Sequence, residues 1–277
     1  MDLYTLNSLD VSKKTTENYS TSFSLGVRVL DKEFRKPIYA IYGFVRFADE
    51  IVDTFHGHDQ KELFEKFKKE THEALDKGIS SNPILHSFQW AVNTYGIERD
   101  LIDSFLESME MDLYKTEYSE KGFKKYVYGS AEVVGLMCLR VFSIPQNGYT
   151  DLVPFARKLG EAFQKVNFLR DLKADYIERG RTYFPDVDFE NFDNETKKKI
   201  EDDIQADFDE AYIGIKMLDP RARLGVYLAY VYYLQLFKKI KHTDASRIVE
   251  RRYRVSDRMK MWLLMTSYMK NKFGLIR

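Results

Sequence analysis

The chain holds a single cysteine, Cys138, so no internal disulfide can staple it. Its opening stretch, "MDLYTLNSLD", lacks the basic and apolar regions of a secretion signal. Both absences point to a reducing, cytoplasmic setting. Net charge is missing as well: 43 basic residues balance 43 acidic ones, which leaves no field to draw the protein onto nucleic acid. Any phosphate chemistry must therefore be local. No apolar run approaches the roughly 20 residues needed to cross a bilayer, and "MWLLM" near the end is among the longest. This implies no spanning anchor. Also absent are H-E-x-x-H, G-x-S-x-G, the phosphate-cradling G-x-x-x-x-G-K-[ST] and a Gly-rich dinucleotide fingerprint. The 5 histidines show no metal-ligand spacing, and His56 and His58 read as loop residues.

With 6 prolines and 14 glycines in 277 residues, little interrupts regular structure. The hydrophobic period is helical almost throughout, and no alternating strand, hairpin turn or fixed-length repeat is present. The pattern predicts helices over about 17–29, 33–55, 59–77, 82–95, 98–114, 119–142, 149–179, 194–217, 220–241 and 244–272. The fold class is all-α. No composition break divides residues 1–277, so a single domain is expected. "DVDFENFDNETKKK" reads as a polar connector or lid.

"AIYGFVRFADEIVDTF", residues 40–55, is mostly aromatic and aliphatic yet carries Arg46, Asp49, Glu50 and Asp53. On a helix, Tyr42, Arg46, Asp49 and Asp53 fall within an arc of about 60°, with Glu50 at its edge. The rest of the turn is apolar, as in a helix inside a bundle. Such a stripe faces an internal cavity or a buried polar partner, because an unpaired buried carboxylate costs several kcal/mol. Arg46 offsets one carboxylate; the remaining negative charge asks for a metal. Chance supplies about half a dozen Asp/Glu pairs at this spacing in such a chain, so one pair alone says little. The apolar surround and a second occurrence give it weight.

That second occurrence lies in "LGEAFQKVNFLRDLKADYIERGRTYFP", residues 159–185. Asp171 and Asp175 are one turn apart, and Gln164 and Asn167 extend the same face within an arc of about 80°. Gly180 suits a helix stop, after which Arg181 can fold back over the site. Two such stripes facing each other form a set of hard oxygen donors. Mg²⁺ prefers a few carboxylates plus waters and substrate phosphates.

These two segments resemble the aspartate-rich signatures of the squalene and phytoene synthases, the head-to-head trans-prenyltransferases, and the resemblance covers nearly the whole chain. "YSTSF" at Tyr19–Phe23 is similar to the family's N-terminal serine motif, with Tyr19 and Thr21 where many members have His and Lys. "MEMDL" at Met109–Leu113 resembles its central Asp motif, and "YVYGSAEVVGLMCLRVF" its Tyr- and Gly-containing helix. Glu132 stands where members usually carry Gly, which puts the channel's shape there in question, and Glu50 replaces the usual Asp.

The resemblance implies an isoprenoid-synthase helical bundle around a central cavity. It implies that Asp49, Asp53, Asp171 and Asp175, with Asn167, hold Mg²⁺ (Mn²⁺ is the alternative ion) and through it the diphosphates. It further implies that Tyr42 and Arg46 belong to the catalytic set. Ser20, Ser22, Tyr128, Gln164, Asn167, Arg170, Arg181, Tyr233 and Arg258 then contact substrate. Most arginines of "RIVERRYRVSDRMK" otherwise read as a solvated basic face. The implied reaction joins two prenyl diphosphates: two geranylgeranyl diphosphates to phytoene, without NADPH, or two farnesyl diphosphates to a C30 product. A non-catalytic assembly protein of the same fold is the alternative of another class. Head-to-tail elongation usually carries D-D-x-x-D, against D-E-x-x-D here. Lipid substrates and products imply at most peripheral membrane contact, no nucleic acid partner, and a monomer or homodimer.

Overall fold

The structure is a computed structural model that describes residues 1–114, 117–143, 148–178, 180–185, 187, 192–248 and 252–276, with backbone alone at 176–178. Its helices are α1 (Leu3–Tyr19), α2 (Thr21–Arg28), α3 (Lys32–Asp53), α4 (Gln60–Lys77), α5 (Pro83–Tyr95), α6 (Arg99–Met111) and α7 (Glu120–Val127). They continue as α8 (Val133–Phe142), α9 (Tyr149–Leu172), α10 (Asn194–Met217), α11 (Pro220–Lys241), α12 (Ala245–Ile248) and α13 (Asp257–Lys272). No strand forms among the described residues. A lone parallel bridge, Glu117 with Thr182, joins the segment after α6 to the segment after α9. None of the described helices is long and apolar enough to cross a membrane. Residues 186 and 188–191 of "DVDFENFDNETKKK" lie outside the described residues, its last six open α10, and 249–251 of the basic run are likewise outside.

Side-chain caps start many helices where the sequence offers Asp, Asn or Ser. Ser20 is one: it ends α1 in an extended conformation and its hydroxyl accepts the Phe23 N–H at 3.2 Å to open α2. The single helix expected over 17–29 is therefore two. Residues 119–142 run on, as expected, but through a π-helical turn at Tyr128–Glu132, and α9 likewise passes into a π turn at Lys173–Glu178. The helix expected over 244–272 is broken, with 252–256 outside any helix between α12 and α13.

Two aromatic-rich cores flank the centre. In the first, Phe44 of α3 stacks on Phe88 at 3.8 Å between ring centroids and touches Phe67 and Phe105. Phe208 and Phe237 lie in the second, where Phe168 of α9 stacks on Tyr183 at 4.2 Å. Behind α9, buried Lys165 pairs with Glu161 and Asp207, each at 2.7 Å, and with Asp203. Lys158 also reaches Asp207 at 2.7 Å, so this network fixes α9 against α10. Gly160 lets α9 approach the first π turn, since a Cβ there would sit 2.7 Å from the Ala131 carbonyl oxygen.

Candidate active site

Between the two cores lies a cavity of about 1110 Å³. Tyr42, Arg46, Asp49 and Asp53 of α3 all line it, so the stripe predicted on one arc does face inward. Gln164, Asn167, Arg170 and Asp171 of α9 line the same cavity, and so does Asp175 in the π turn. Ser20, Ser22 and Tyr233 join them. Both acidic segments thus serve one chamber. Most of its remaining wall is apolar, from Phe23 and Phe105 to Phe142, Leu152 and Leu218.

The carboxylates are held by arginines. Arg46 pairs with Asp49 and Glu50 on its own helix, three and four residues on, and its guanidinium lies 4.5 Å from the centre of the Tyr19 ring. Glu50 is not part of the cavity wall. Arg181 crosses from the segment after α9: Nη1 donates to Asp53 Oδ1 at 3.0 Å and Nη2 to the Asp112 carbonyl at 2.9 Å. Burial works against its charge, but Asp112 and Asp53 outweigh that and raise its pKa. Asp171 takes Arg170 and, at 2.7 Å, Arg252 Nε. Arginines from distant segments therefore supply much of the positive charge that the sequence reading assigned to a metal.

Hydroxyl and amide groups complete the polar wall. Burial pushes the Tyr42 phenol up to about 12, so it stays protonated. Its ring stacks on Phe23 at 4.6 Å. The Tyr233 hydroxyl donates to Asn167 Oδ1 at 3.2 Å while its ring stacks on Phe163 at 3.9 Å. Two buried atoms on the wall, Arg46 Nε and Ser130 Oγ, have no hydrogen-bond partner among the described residues. A buried donor left in that state costs free energy that a polar ligand would recover. Cys138 also lines the cavity; burial raises its thiol to about 12 and keeps it neutral.

Five placements differ from the sequence reading. Arg181, expected to contact substrate, is not on the cavity wall and instead ties Asp53 to the Asp112 carbonyl. Tyr128 does not line the cavity; it lies 5.2 Å beneath the Arg157 guanidinium, and Tyr126 takes the inward position. Glu132 also turns away, to accept from Arg157 Nε at 2.5 Å, so it leaves the channel unobstructed. Arg157 of α9 draws both, its guanidinium lying over the Tyr128 ring and pairing with Glu132. Arg258 is exposed in the first turn of α13 and absent from the wall. Arg252 and Arg254, read as part of a solvated face, line the cavity instead, with buried Tyr253 between them and Lys260 further on.

Asp112, quoted within "MEMDL" but assigned no role, is a buried acid of the site, as is Asp175. It accepts from the Tyr126 hydroxyl at 2.8 Å. Burial raises its carboxyl to about 7 against the pull of Arg181, with Asp53 and Asp49 adding repulsion.

The donor set fits Mg²⁺. The inward groups are hard oxygens, from Asp49, Asp53, Asp171, Asp175, Gln164 and Asn167. No three His, Cys, Asp or Glu among the described residues converge as a ready metal cage.

The sequence model of the squalene/phytoene synthase family matches residues 16–259. Over 199 residues the chain is 28% identical to the 4,4'-diapophytoene synthase of Staphylococcus haemolyticus, covering 69% of this chain and 67% of that one. It is also 28% identical over 284 residues to the chloroplastic phytoene synthase 1 of Zea mays, covering 92% of this chain and 66% of the maize protein. The chain thus spans about two thirds of the length of these relatives. A solved dehydrosqualene synthase, in complex with a ligand, superposes with a TM-score of 0.81 at 21% identity over 97% of this chain and 98% of that one, which establishes the shared fold.

Proposed function

Because the chain belongs to the squalene/phytoene synthase family, we propose that it is a prenyltransferase that condenses two geranylgeranyl diphosphates head to head into phytoene, by way of prephytoene diphosphate. One observation carries this reading: two acidic segments and Arg46, Arg170 and Arg252, which pair with them, line a single, otherwise largely apolar cavity. Such a chamber suits a molecule with an anionic head and a long hydrocarbon tail.

Arg46, Arg170 and Arg252 on the wall bind the diphosphates, Arg181 reaching the site through Asp53, with hydroxyls of Ser20 and Ser22 donating beside them. Their bonds to Asp49, Asp53 and Asp171 exchange when substrate enters. Asp49, Asp53, Asp171, Asp175 and Asn167 would hold Mg²⁺, which when bound would supply positive charge to offset that on the leaving diphosphate. Apolar walls keep water from the allylic cation until the double bond of the second substrate attacks it. The ring faces of Phe23, Tyr42, Phe163 and Tyr233 stabilise positive charge on carbon. Tyr42, neutral at any working pH, donates a hydrogen bond without competing as an anionic nucleophile.

Support for the C20 substrate comes from the maize phytoene synthase, whose similarity extends along 92% of the chain. The staphylococcal relative, named for a C30 product, supports farnesyl diphosphate as the second reading. The test incubates the protein with each diphosphate and Mg²⁺, without a nicotinamide, and identifies the hydrocarbon by mass. Phytoene from geranylgeranyl diphosphate is the expected outcome. Turnover of farnesyl diphosphate alone moves the assignment to a C30 synthase, and diphosphate release that ignores chelator overturns the Mg²⁺-dependent mechanism.

A further inference from the structure

The molecule's densest run of exposed apolar side chains lies on α13, remote in role from the cavity's polar wall. Met261, Trp262, Met265, Tyr268 and Met269 are between 44% and 60% exposed, and Phe273 just beyond is 67% exposed. Soluble monomers rarely expose contiguous apolar patches of more than a few hundred Å². On the helical projection the five residues of α13 occupy an arc of about 120°. The methionines fill its middle; Trp262 and Tyr268 mark its two margins. Leu263 and Ser267, on the opposite side, are buried, and Leu263 packs with Leu228 and Tyr232 of α11. The helix is therefore anchored by one face and presents the other.

Charge distinguishes the partners such a face would accept. The chain is neutral as a whole, and Arg252, Arg254 and Lys260 belong to the cavity wall, yet the exposed side of α13 carries Arg258 and Lys272 against one acid, Asp257. Lys239 of α11 adds to them, its Nζ donating to the Arg254 carbonyl at 2.9 Å. Arg258 and Lys272 fall inside the apolar arc at its two ends. A second copy docking by a two-fold axis would set these cations against themselves. An anionic lipid surface complements them. Aromatic side chains at the margins of an apolar stripe, with lysine and arginine at its ends, suit a helix lying in the plane of a membrane interface.

We propose that the α13 face of Met261, Trp262, Met265, Tyr268 and Met269 docks peripherally on a bilayer containing anionic lipid. Nothing in this face depends on which diphosphate the cavity takes.

Co-sedimentation tests it with two vesicle preparations, phosphatidylcholine alone and an equimolar mixture with phosphatidylglycerol. The full chain is expected to bind the mixed vesicles more tightly, with a blue shift in tryptophan emission that Trp262→Phe abolishes while Trp90 remains. Trp262→Glu combined with Met265→Glu, both at exposed positions, lowers the partition coefficient about tenfold or more without shifting the melting temperature or turnover. Lys272→Glu lowers it about fivefold on the mixed vesicles. The proposal is overturned if neither vesicle binds the chain or if the double variant binds as wild type does. It is equally overturned if the wild type self-associates in light scattering, the double variant does not, and vesicles bind neither, which makes a second copy the occupant.

Discussion

The two acidic segments carry like side chains on unlike supports. α3 is held by rings: Phe44 is fully buried between Phe88, Phe67 and Phe105, and the helix stays α-helical as far as Asp53. α9 adds to its rings, with Phe168 stacked on Tyr183, a buried charge network of Lys165 and Lys158 on Glu161, Asp203 and Asp207, and gives way to a π turn before Asp175. Their partners are alike: Asp49 and Asp171 each find an arginine on their own helix, Arg46 and Arg170. Asp53 and Asp171 each draw another from far along the chain, Arg181 from 128 positions and Arg252 from 81. Arg181 thereby ties the two halves, since it follows the second segment and bonds to Asp53 of the first. The difference lies in the support, which is apolar behind α3 and partly ionic behind α9.

Substituting each acid separately is the severest trial of that pairing. Asp49→Asn and Asp171→Asn are each expected to lower kcat about a thousandfold, comparable to the loss of a central electrostatic contact in a desolvated site. Diphosphate release and product formation report it. A variant on either helix that keeps more than a tenth of wild-type turnover means that the two segments do not share the work. Next in size, Phe44→Ala costs about 3–5 kcal/mol through the cavity it leaves. Asp207→Ala costs a similar or smaller amount by leaving Lys165 with fewer partners in a buried place. Urea midpoints at low and high salt separate the supports, because only the α9 side carries a buried charge network. A third comparison concerns partners. Arg252→Ala is expected to raise KM about tenfold with a smaller change in kcat, as befits a group that holds the diphosphate in ground and transition states alike. Arg46→Ala, which frees two carboxylates at once, should lower kcat as well.

How far each segment could be read from its residues follows the same division. Along α3 the apolar surround and the α-helical period were both visible, so the arc of Tyr42, Arg46, Asp49 and Asp53 is the arc found on the cavity wall. α1 was invisible because what it buries is mostly small and hydroxylated: Thr5, Ser8, Ser12 and Thr16 beside Leu9. No hydropathy period marks such a face. The π turns were equally hidden, since one extra residue per turn leaves no mark on composition. Tyr128 and Glu132, placed by resemblance, point elsewhere because Arg157 of α9 engages both. Arg252 and Arg254 read as solvated charges on one continuous helix over 244–272, whereas 252–256 is not helical and both line the cavity. Asp112 was in plain view within its motif, but its burial depends on Tyr126, Tyr118 and Arg181, which only the fold brings to it.

Asp112 also sharpens the contrast at its smallest scale, because it sits where the two segments meet through Arg181. Its carboxyl titrates at about 7 in the folded chain against an ordinary value of 3.8, chiefly through burial. Between those values the folded state binds the proton that the unfolded state has released. Stability therefore falls as pH rises through that window and levels off above the folded value. From about pH 6 to about pH 8 the loss amounts to about 1 kcal/mol. Urea midpoints of the metal-free protein at the two pH values should show it. Asp112→Asn, which cannot ionise, should remove the slope and leave the protein relatively more stable at the higher pH. If the slope persists in that variant, another group carries it, and the buried carboxyl beside Tyr126 is already ionised when the protein is at neutral pH. In that event Arg181 would be balancing Asp53 and a charged Asp112 together, and its removal should cost more than the loss of Arg252 does on the other side.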